Sequence, residues 1–443
     1  MTDLMSIGAS GLRAYRDALG TTSDNIANAQ TAGYVRRTTS LAEAGGSGDM
    51  PLYRAQTSPG GVLVDGVQRS VDQWLVEDSR TSISGSERAS ARLQWLQAGE
   101  RALDDGENGV GQSLTAMFNA ADTLAADPSN TALRLAFLQS VSSAVDSFKT
   151  TATQLKSVAG GIANAAQAGA DQVNSDVAAL QRVNEALLRS RDGSTNQASL
   201  MDERDRLLDS LAGSLPIAVT LDAHGVASVR VVGSGGPALL DGPNVSQVGV
   251  STAADGTLSL TLAGGAISPA SGSLSGLCAA ASTIAGERST LDQLASQFAT
   301  QLNAAHQAGT DANGQPGGPL VSFGGTADSL SALSLGPAQV AAADASSDNG
   351  NILSFASLRG AGGTEQGWGQ VIAAHAQTVS AAKAQDSAAS TRRDGALAAR
   401  AKLSGVDLDH EAAELLRFQQ AYEGSARVIQ VAKETFQSIL NAI

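Results

Sequence analysis

The chain predicts an α+β fold, predominantly α: paired N- and C-terminal coiled helices, a long helical rod or bundle, and a small inserted β-rich domain. Three observations carry this expectation. Both ends hold an apolar stripe at alternating spacings of three and four, most of the middle keeps a helical period, and one stretch switches to a period of two between glycine-containing turns. The 443 residues leave room for several domains and an ample core.

At the start, Met5, Gly8, Leu12, Tyr15, Leu19, Thr22, Ile26 and Ala29 form the seam of an amphipathic helix, with Arg13, Arg16, Asp17 and Asp24 on its other faces. Residues 28–34 read as its stop: Asn28 tolerates left-handed geometry and Gly33 supplies a permissive backbone. Residues 41–70, rich in Gly, Ser and Pro, form a connector that includes a short β ribbon over 60–67. From Val71 to Leu211 the spacing is helical, first through Leu93, Leu96 and Leu103, then through Leu114, Phe118 and Leu124. The Asp127-Pro128-Ser129-Asn130 break precedes a helix through Leu133, Phe137, Val141, Val145 and Phe148 to Lys156. Further helical runs cover Ala163 to Leu188 and Met201 to Leu211.

Around Leu215 the period falls to two. Ile217, Val219 and Leu221 alternate, His224-Gly225 turns, and Val229, Val231 and Val232 follow; Val248 and Val250, an Asp255-Gly256 turn, then Leu258, Leu260 and Leu262 repeat the design. Helix returns from about Cys278 to Ala308, 309–320 is a loop, and 321–362 is weakly patterned. A long helix over about 366–402 is followed by the Leu403-Ser404-Gly405 break and a terminal helix. That last helix carries Leu415, Phe418, Tyr422, Ser425, Ile429, Ala432, Phe436, Ile439 and Ile443, widened by Ala426 and Leu440, with Asp407 or Asp409 as its cap. The predicted division is 1–40 plus 404–443 as a terminal assembly core, 41–212 plus 277–403 as a helical rod domain with its β-ribbon connector, and 213–276 as a small β-rich outer domain.

Composition and motifs narrow the function. A net charge of -14, with no basic cluster, argues against nucleic acid as a partner. No apolar stretch approaches membrane-spanning length, and the first residues lack the basic start and apolar run of a cleaved signal peptide, so export is expected by another route. Cys278 is the single cysteine, which excludes an intramolecular disulfide and is expected to be a buried, inert thiol. His224, His306, His375 and His410 lie far apart without a second ligand at metal spacing. Gly233-Ser234-Gly235-Gly236 has no following helix and reads as a β turn, and the loop at Asp311 lacks the acidic ligands of a calcium site. Asp202, Glu203, Asp205 and Asp209, among Arg204 and Arg206, read as a solvated helix face. No enzyme motif, cofactor or metal is expected. Burial of Leu415, Phe418, Tyr422, Ile429, Phe436 and Ile439 would contribute about 1.5–3 kcal/mol each before ordering costs, so the ends are expected to order by docking.

Two terminal blocks carry a resemblance. Ser10-Gly11-Leu12-Arg13-Ala14, Ala18-Leu19-Gly20-Thr21, Asn25-Ile26-Ala27-Asn28 and Thr31-Ala32-Gly33-Tyr34-Val35-Arg36-Arg37 resemble the N-terminal signature of bacterial flagellar rod, hook and hook-associated proteins. The run Ser404-Gly405-Val406-Asp407-Leu408-Asp409, Glu411-Ala412-Ala413 and Arg417-Phe418-Gln419-Gln420-Ala421-Tyr422 is similar to the matching end of that group. Within it, Asp202-Glu203-Arg204-Asp205-Arg206-Leu207-Leu208, the Asp127-Pro128 turn with Arg134, and Leu302 to Gly309 leading to Asp311 and Gly314 resemble the FlgK family; the likeness is weakest over 321–362. The chain departs from larger members in carrying one small β segment where they have more outer-domain material.

The resemblance implies a structural subunit at the junction of hook and filament. It would be secreted by the flagellar type III apparatus, extracellular on the flagellum, and assembled as a ring of like subunits. Implied neighbours are hook protein and a FlgL-like third hook-associated protein, and a FlgN-like chaperone would grip the C-terminal helix. The candidate interface is Met5, Leu12, Tyr15, Leu19, Asn25, Ile26, Asn28, Gly33 and Tyr34 at one end, with Leu415, Phe418, Tyr422, Ile429, Phe436 and Ile439 at the other. The alternatives are a hook or distal-rod subunit, or an axial protein with an inserted hydrolase domain.

Overall fold

The computed structural model describes residues 2–44, 60–233, 235 and 237–441. Parts of three expected features lie outside them: 45–59 of the connector, Ser234 and Gly236 of the glycine turn, and Ile443 of the last stripe. The elements begin with α1 (Thr2–Ala27), β1 (Arg37–Glu43), β2 (Val62–Arg69), α2 (Gln73–Ala102), α3 (Val110–Ala126), α4 (Thr131–Arg189) and α5 (Thr195–Ser214). Next come β3 (Ile217–Leu221), β4 (Ala227–Val231), β5 (Leu240–Asp241), β6 (Asn244–Val245), β7 (Val248–Thr252), β8 (Leu258–Leu262) and β9 (Gly265–Ile267). The chain continues through α6 (Ser273–Gln307), β10 (Val321–Ser322), β11 (Ser331–Ala332), α7 (Gly350–Ser354), α8 (Thr364–Ser404) and α9 (Leu408–Asn441). Helix dominates and every strand pairing is antiparallel, so the chain is α+β and predominantly α.

Two compact units form, one from 1–85, 173–247 and 390–443, the other from 86–172 and 248–389. The stretch expected as one β-rich domain over 213–276 holds two sheets: β3-β4-β5-β6 falls in the first unit and β7-β8-β9 in the second. Both hairpins were legible in the period-two pattern, and the assignment of each to a helical body was not, because alternation reports a half-buried face without naming what covers it.

In the first unit Val173, Val177, Leu180 and Leu187 of α4 are buried, as are Leu207, Leu208 and Leu211 of α5 and Val229 and Leu240 of the sheet. Asn184 fixes strand to helix, donating to Ala227 O at 2.8 Å and accepting from Ala227 N at 3.0 Å. In the second unit Phe148 stacks on Phe298 and Phe137 meets Phe355 edge-on, with ring centroids 5.5 and 5.7 Å apart. Arg134 closes the Asp127-Pro128 turn through Pro128 O at 2.7 Å and reaches Val340 O at 2.6 Å.

The sequence predicted separate helices ending at Lys156 and starting at Ala163; α4 instead runs unbroken over both. Gly161 lies where a Cβ would come within 2.6 Å of the Trp95 ring, so close packing in the second unit holds a glycine inside the helix despite its weak propensity. Asn28 does not take up a left-handed conformation; Gly33 alone in that stop does, at φ +81°, while the Asn28 amide bonds Asp24 O at 2.9 Å. His306 is buried and neutral: its Nδ1 faces Gly318 O at 2.6 Å, its Nε2 accepts from Ala341 N at 2.9 Å, and burial pushes it below the ordinary histidine value. Cys278 is half-buried, with burial raising its thiol. Asp311 is occupied as a turn, accepting from Asn313 N and Gln315 N at 2.8 and 2.9 Å.

Candidate assembly interface at the paired termini

Helices α1 and α9 pack against each other antiparallel within the first unit. Gly8 faces Ser425 and Ile429, Gly11 faces Ser425, the Tyr15 and Phe418 rings lie 6.5 Å apart, and Asn25 meets Glu411. The seam on α1 is small: Gly8, Gly11, Ala14, Ala18, Thr22 and Asn25 are buried. A Cβ on Gly8 would stand 2.6 Å from Ile429 Cγ1 and 3.3 Å from Ser425 O, and one on Gly11 would stand 2.7 Å from Ser425 Oγ. The absence of side chains there is what lets the two backbones approach.

This seam is turned by about one position from the stripe read in the sequence. Leu12, Tyr15 and Leu19 are half-buried at its flank, and Met5 and Ile26 are exposed. Side-chain size drew the expected stripe, whereas close backbone approach selects the smallest residues. On α9, Leu415, Phe418 and Ile429 are half-buried, while Tyr422 is exposed. Asp407 is the cap, its Oδ1 accepting from Asp409 N at 3.0 Å and His410 N at 3.3 Å. Ala432, 2 % exposed, is the last buried residue of the helix; beyond it Phe436 and Ile439, in register with the seam, are 50 % and 46 % exposed.

A polar hub closes the other end of the pair. Asn25 Nδ2 donates to Arg37 O at 2.8 Å and to Glu411 Oε2 at 3.0 Å, while its Oδ1 accepts from Arg37 N at 3.0 Å and Tyr34 Oη at 2.8 Å. Arg36 completes Glu411 at 2.6 Å and donates its backbone N–H to Ser404 O at 2.8 Å. Burial pushes the Tyr34 phenol up to about 12, the charge of Arg37 opposing, so it remains a donor; the Arg37 guanidinium lies 4.7 Å from its ring centre. Gly33 is exposed and Asn28 half-buried at the edge of this loop.

The β1–β2 ribbon joins α1 through Val62 N, which donates to Ser10 Oγ at 3.1 Å, and through Thr39 to Thr21 at 2.9 Å. From it an ion-pair chain runs along α5. Arg37 and Arg69 hold Asp202 at 2.6 and 2.8 Å, Arg69 and Arg204 hold Asp205 at 2.7 and 2.8 Å, and Arg80 and Arg400 hold Asp209 at 2.8 Å each. The solvated helix face expected at 202–209 is therefore corrected: Asp205 and Arg204 are buried, and only Glu203–Arg206 is an exposed pair along the helix. Partners far away in sequence, Arg37, Arg69, Arg80 and Arg400, were the missing information. Burial opposes the charge of Asp205, but Arg204, Arg69 and Arg80 outweigh it and hold the carboxyl below its ordinary value.

A cleft of 710 Å³ beside this chain is lined by Arg69, Arg80, Arg204 and Asp205, whose charges are spent on one another. Among the described residues no group of three or more His, Cys, Asp or Glu stands ready to hold a metal ion, and no helix is long and apolar enough to cross a membrane. The geometry suits mechanical linkage: two chain ends fastened together, with an apolar stripe continuing past the point where it is covered.

Residues 96–321 match the helical domain of the flagellar hook-associated protein FlgK, 400–442 the C-terminal segment of the FlgEFG basal body rod proteins, and 5–34 the flagella basal body rod protein family. Similar relatives are flagellar hook-associated protein 1 of Escherichia coli K12, 28% identical over 73% of this chain and 60% of its own length, and that of Salmonella typhimurium, 29% identical over the same shares. The match thus spans less than two thirds of those relatives' length. The Bacillus subtilis protein of the same name is 23% identical over 98% of this chain and 96% of its own. Among solved structures, the flagellar hook junction protein FlgK from Burkholderia pseudomallei shares the fold, with a TM-score of 0.50 and 21% identity over 56% of this chain and 47% of that one.

Proposed function

Because the chain belongs to the FlgK family of flagellar hook-associated proteins, we propose that it is a structural, non-enzymatic subunit forming the junction between hook and filament. The observation that carries this reading is the antiparallel α1–α9 pair whose seam continues into exposed Phe436 and Ile439. Like subunits in a ring would cover that stripe, with hook protein on one side and a FlgL-like protein on the other. The assembly core is 1–40 with 404–443, within the first unit. Before assembly a FlgN-like chaperone covers Leu415, Phe418, Tyr422, Ile429, Phe436 and Ile439, and the flagellar type III apparatus exports the chain to the outside of the cell. An amphipathic helix lacking its partner is marginal in water, which favours ordering on docking.

A hook or distal-rod subunit would share the matched ends but not the FlgK helical domain over 96–321. The test is complementation of a strain lacking this protein. The full chain should restore filaments; a chain lacking 404–443 should leave bare hooks and release flagellin into the medium. Incorporation of the shortened subunit at normal levels would defeat the proposal.

A further inference from the structure

Two buried histidines in the second unit are wired differently. His306 has one acceptor and one donor around its ring, Gly318 O and Ala341 N, which defines a neutral imidazole. His375 on α8 has an oxygen at each nitrogen: Nδ1 meets Glu287 Oε1 of α6, and Nε2 meets Leu96 O of α2 at 2.9 Å. A backbone carbonyl accepts and never donates, and an ionised carboxylate does the same. Both contacts are satisfied together only when a proton beyond the neutral complement is held between the imidazole and Glu287.

We propose that His375 and Glu287 form a proton-dependent clamp binding α2, α6 and α8 of the second unit together, closed while His375 is imidazolium and loosened in alkali. Packing leaves the ring little alternative. His375 is 4 % exposed, and a Cβ on Gly99 of α2 would lie 3.1 Å from its Cε1 and 2.6 Å from Ile284 Cδ1 of α6. Leu96, whose carbonyl accepts the hydrogen bond from the Nε2–H, is itself part of the buried cluster with Val379 and Ala382. Loss of the proton therefore leaves either the Glu287 carboxylate or the Leu96 carbonyl facing a lone pair of the ring.

The charged groups around the ring agree in sign. Burial disfavours the imidazolium, but Glu287 from α6, the Leu96 carbonyl and Glu100 from α2 outweigh it and raise His375 above the ordinary histidine value. The groove of 630 Å³ along α6 and α8, lined by Glu287, His375, Thr290, Gln297, Gln370 and Thr378 among others, brings solvent to the pair, so the buried proton has a path out. Being raised in the folded state, His375 contributes stability that is complete below its unfolded value of about 6.5 and disappears as pH climbs through the higher folded value.

The experiment is a titration of the full chain, labelled at histidine nitrogens and read by NMR from about pH 5 to about pH 9, alongside thermal unfolding over that range. His375→Gln identifies the resonance. The expected result is an imidazolium that persists above neutral pH, and a wild-type unfolding midpoint that drops through the alkaline range with a slope absent from His375→Gln. A His375 that titrates at or below about 6.5, or a slope unchanged in the variant, overturns the clamp. Should His375→Gln not fold, Glu287→Gln serves: it should bring the His375 titration down by at least about one unit, a tenfold change in proton affinity, and an unmoved titration would count against the proposal.

Discussion

Asn25 of α1 and Glu411 of α9, each 1 % exposed and 386 residues apart in sequence, are joined by a hydrogen bond of 3.0 Å. The bond is the polar lock of the terminal pair, because the same Asn25 side chain also holds both ends of the Arg37 peptide and the Tyr34 hydroxyl. Asn25→Ala should lower the stability of the first unit by about 1–3 kcal/mol, the cost of orphaned buried partners. Asn25→Asp should cost more at neutral pH, since it sets a second carboxylate against Glu411, and should recover as acid protonates one of the two. Denaturant unfolding at two pH values separates the variants. Equal loss for both at every pH would mean that Glu411 does not sense position 25.

The antiparallel register can be captured covalently. A Cβ built on Gly11 lies 3.3 Å from Ser425 Cβ, near the separation that a disulfide spans. Gly11→Cys with Ser425→Cys, in a Cys278→Ser background, should therefore form an intramolecular bridge under mild oxidation, seen as a mobility shift reversed by reductant. Gly20→Cys with Ser425→Cys should not. Failure of the first pair, or equal bridging by both, would place the ends elsewhere.

How much of this could be read beforehand varies by element, and for physical reasons. The helices α2, α3, α6 and α8 and the strands β3, β4, β7 and β8 announce themselves through local period, which needs no partner to be seen. The pairing of α1 with α9 is legible because each carries an apolar stripe at helical spacing. Its register is not, since Ala14 and Ala18, the most buried apolar residues of α1, are too small to mark a hydrophobic pattern. The Asp202–Asp205–Asp209 chain is hidden for a related reason: a carboxylate on a helix looks solvated until Arg69, Arg80 and Arg400 arrive from other segments.

Two parts of the α9 stripe should answer differently to charge. Phe418 and Ile429 lie on the covered seam, so Phe418→Asp or Ile429→Asp puts a carboxylate into the α1 contact and should weaken the terminal pair by about 1–3 kcal/mol. Phe436 and Ile439 are open, so Phe436→Asp and Ile439→Asp should leave the isolated subunit's melting unchanged while abolishing its incorporation at the hook tip. Melting curves and electron microscopy of complemented cells check both halves. If the Phe436 variant assembles normally, the open end of the stripe is not an interface.

The acid limb of stability should report Asp205. Its carboxyl is held below the ordinary value because Arg204, Arg69 and Arg80 outweigh the penalty of burial. A depressed folded value means that its contribution is complete above the unfolded value of about 3.9 and is lost as pH falls through the lower folded one. The wild-type first unit should thus hold through mild acid and give way only below that range. Asp205→Asn should remove about 3–5 kcal/mol already at neutral pH, because three guanidiniums lose a shared buried partner. It should also flatten the acid limb, since the titrating group is gone. Hydrogen exchange of α5 amides as a function of pH reads both effects at the site itself. A variant as stable as wild type at neutral pH, or one with the same acid limb, would mean that the arginines are satisfied by Asp202 and Asp209 alone and that Asp205 is not the centre of the chain.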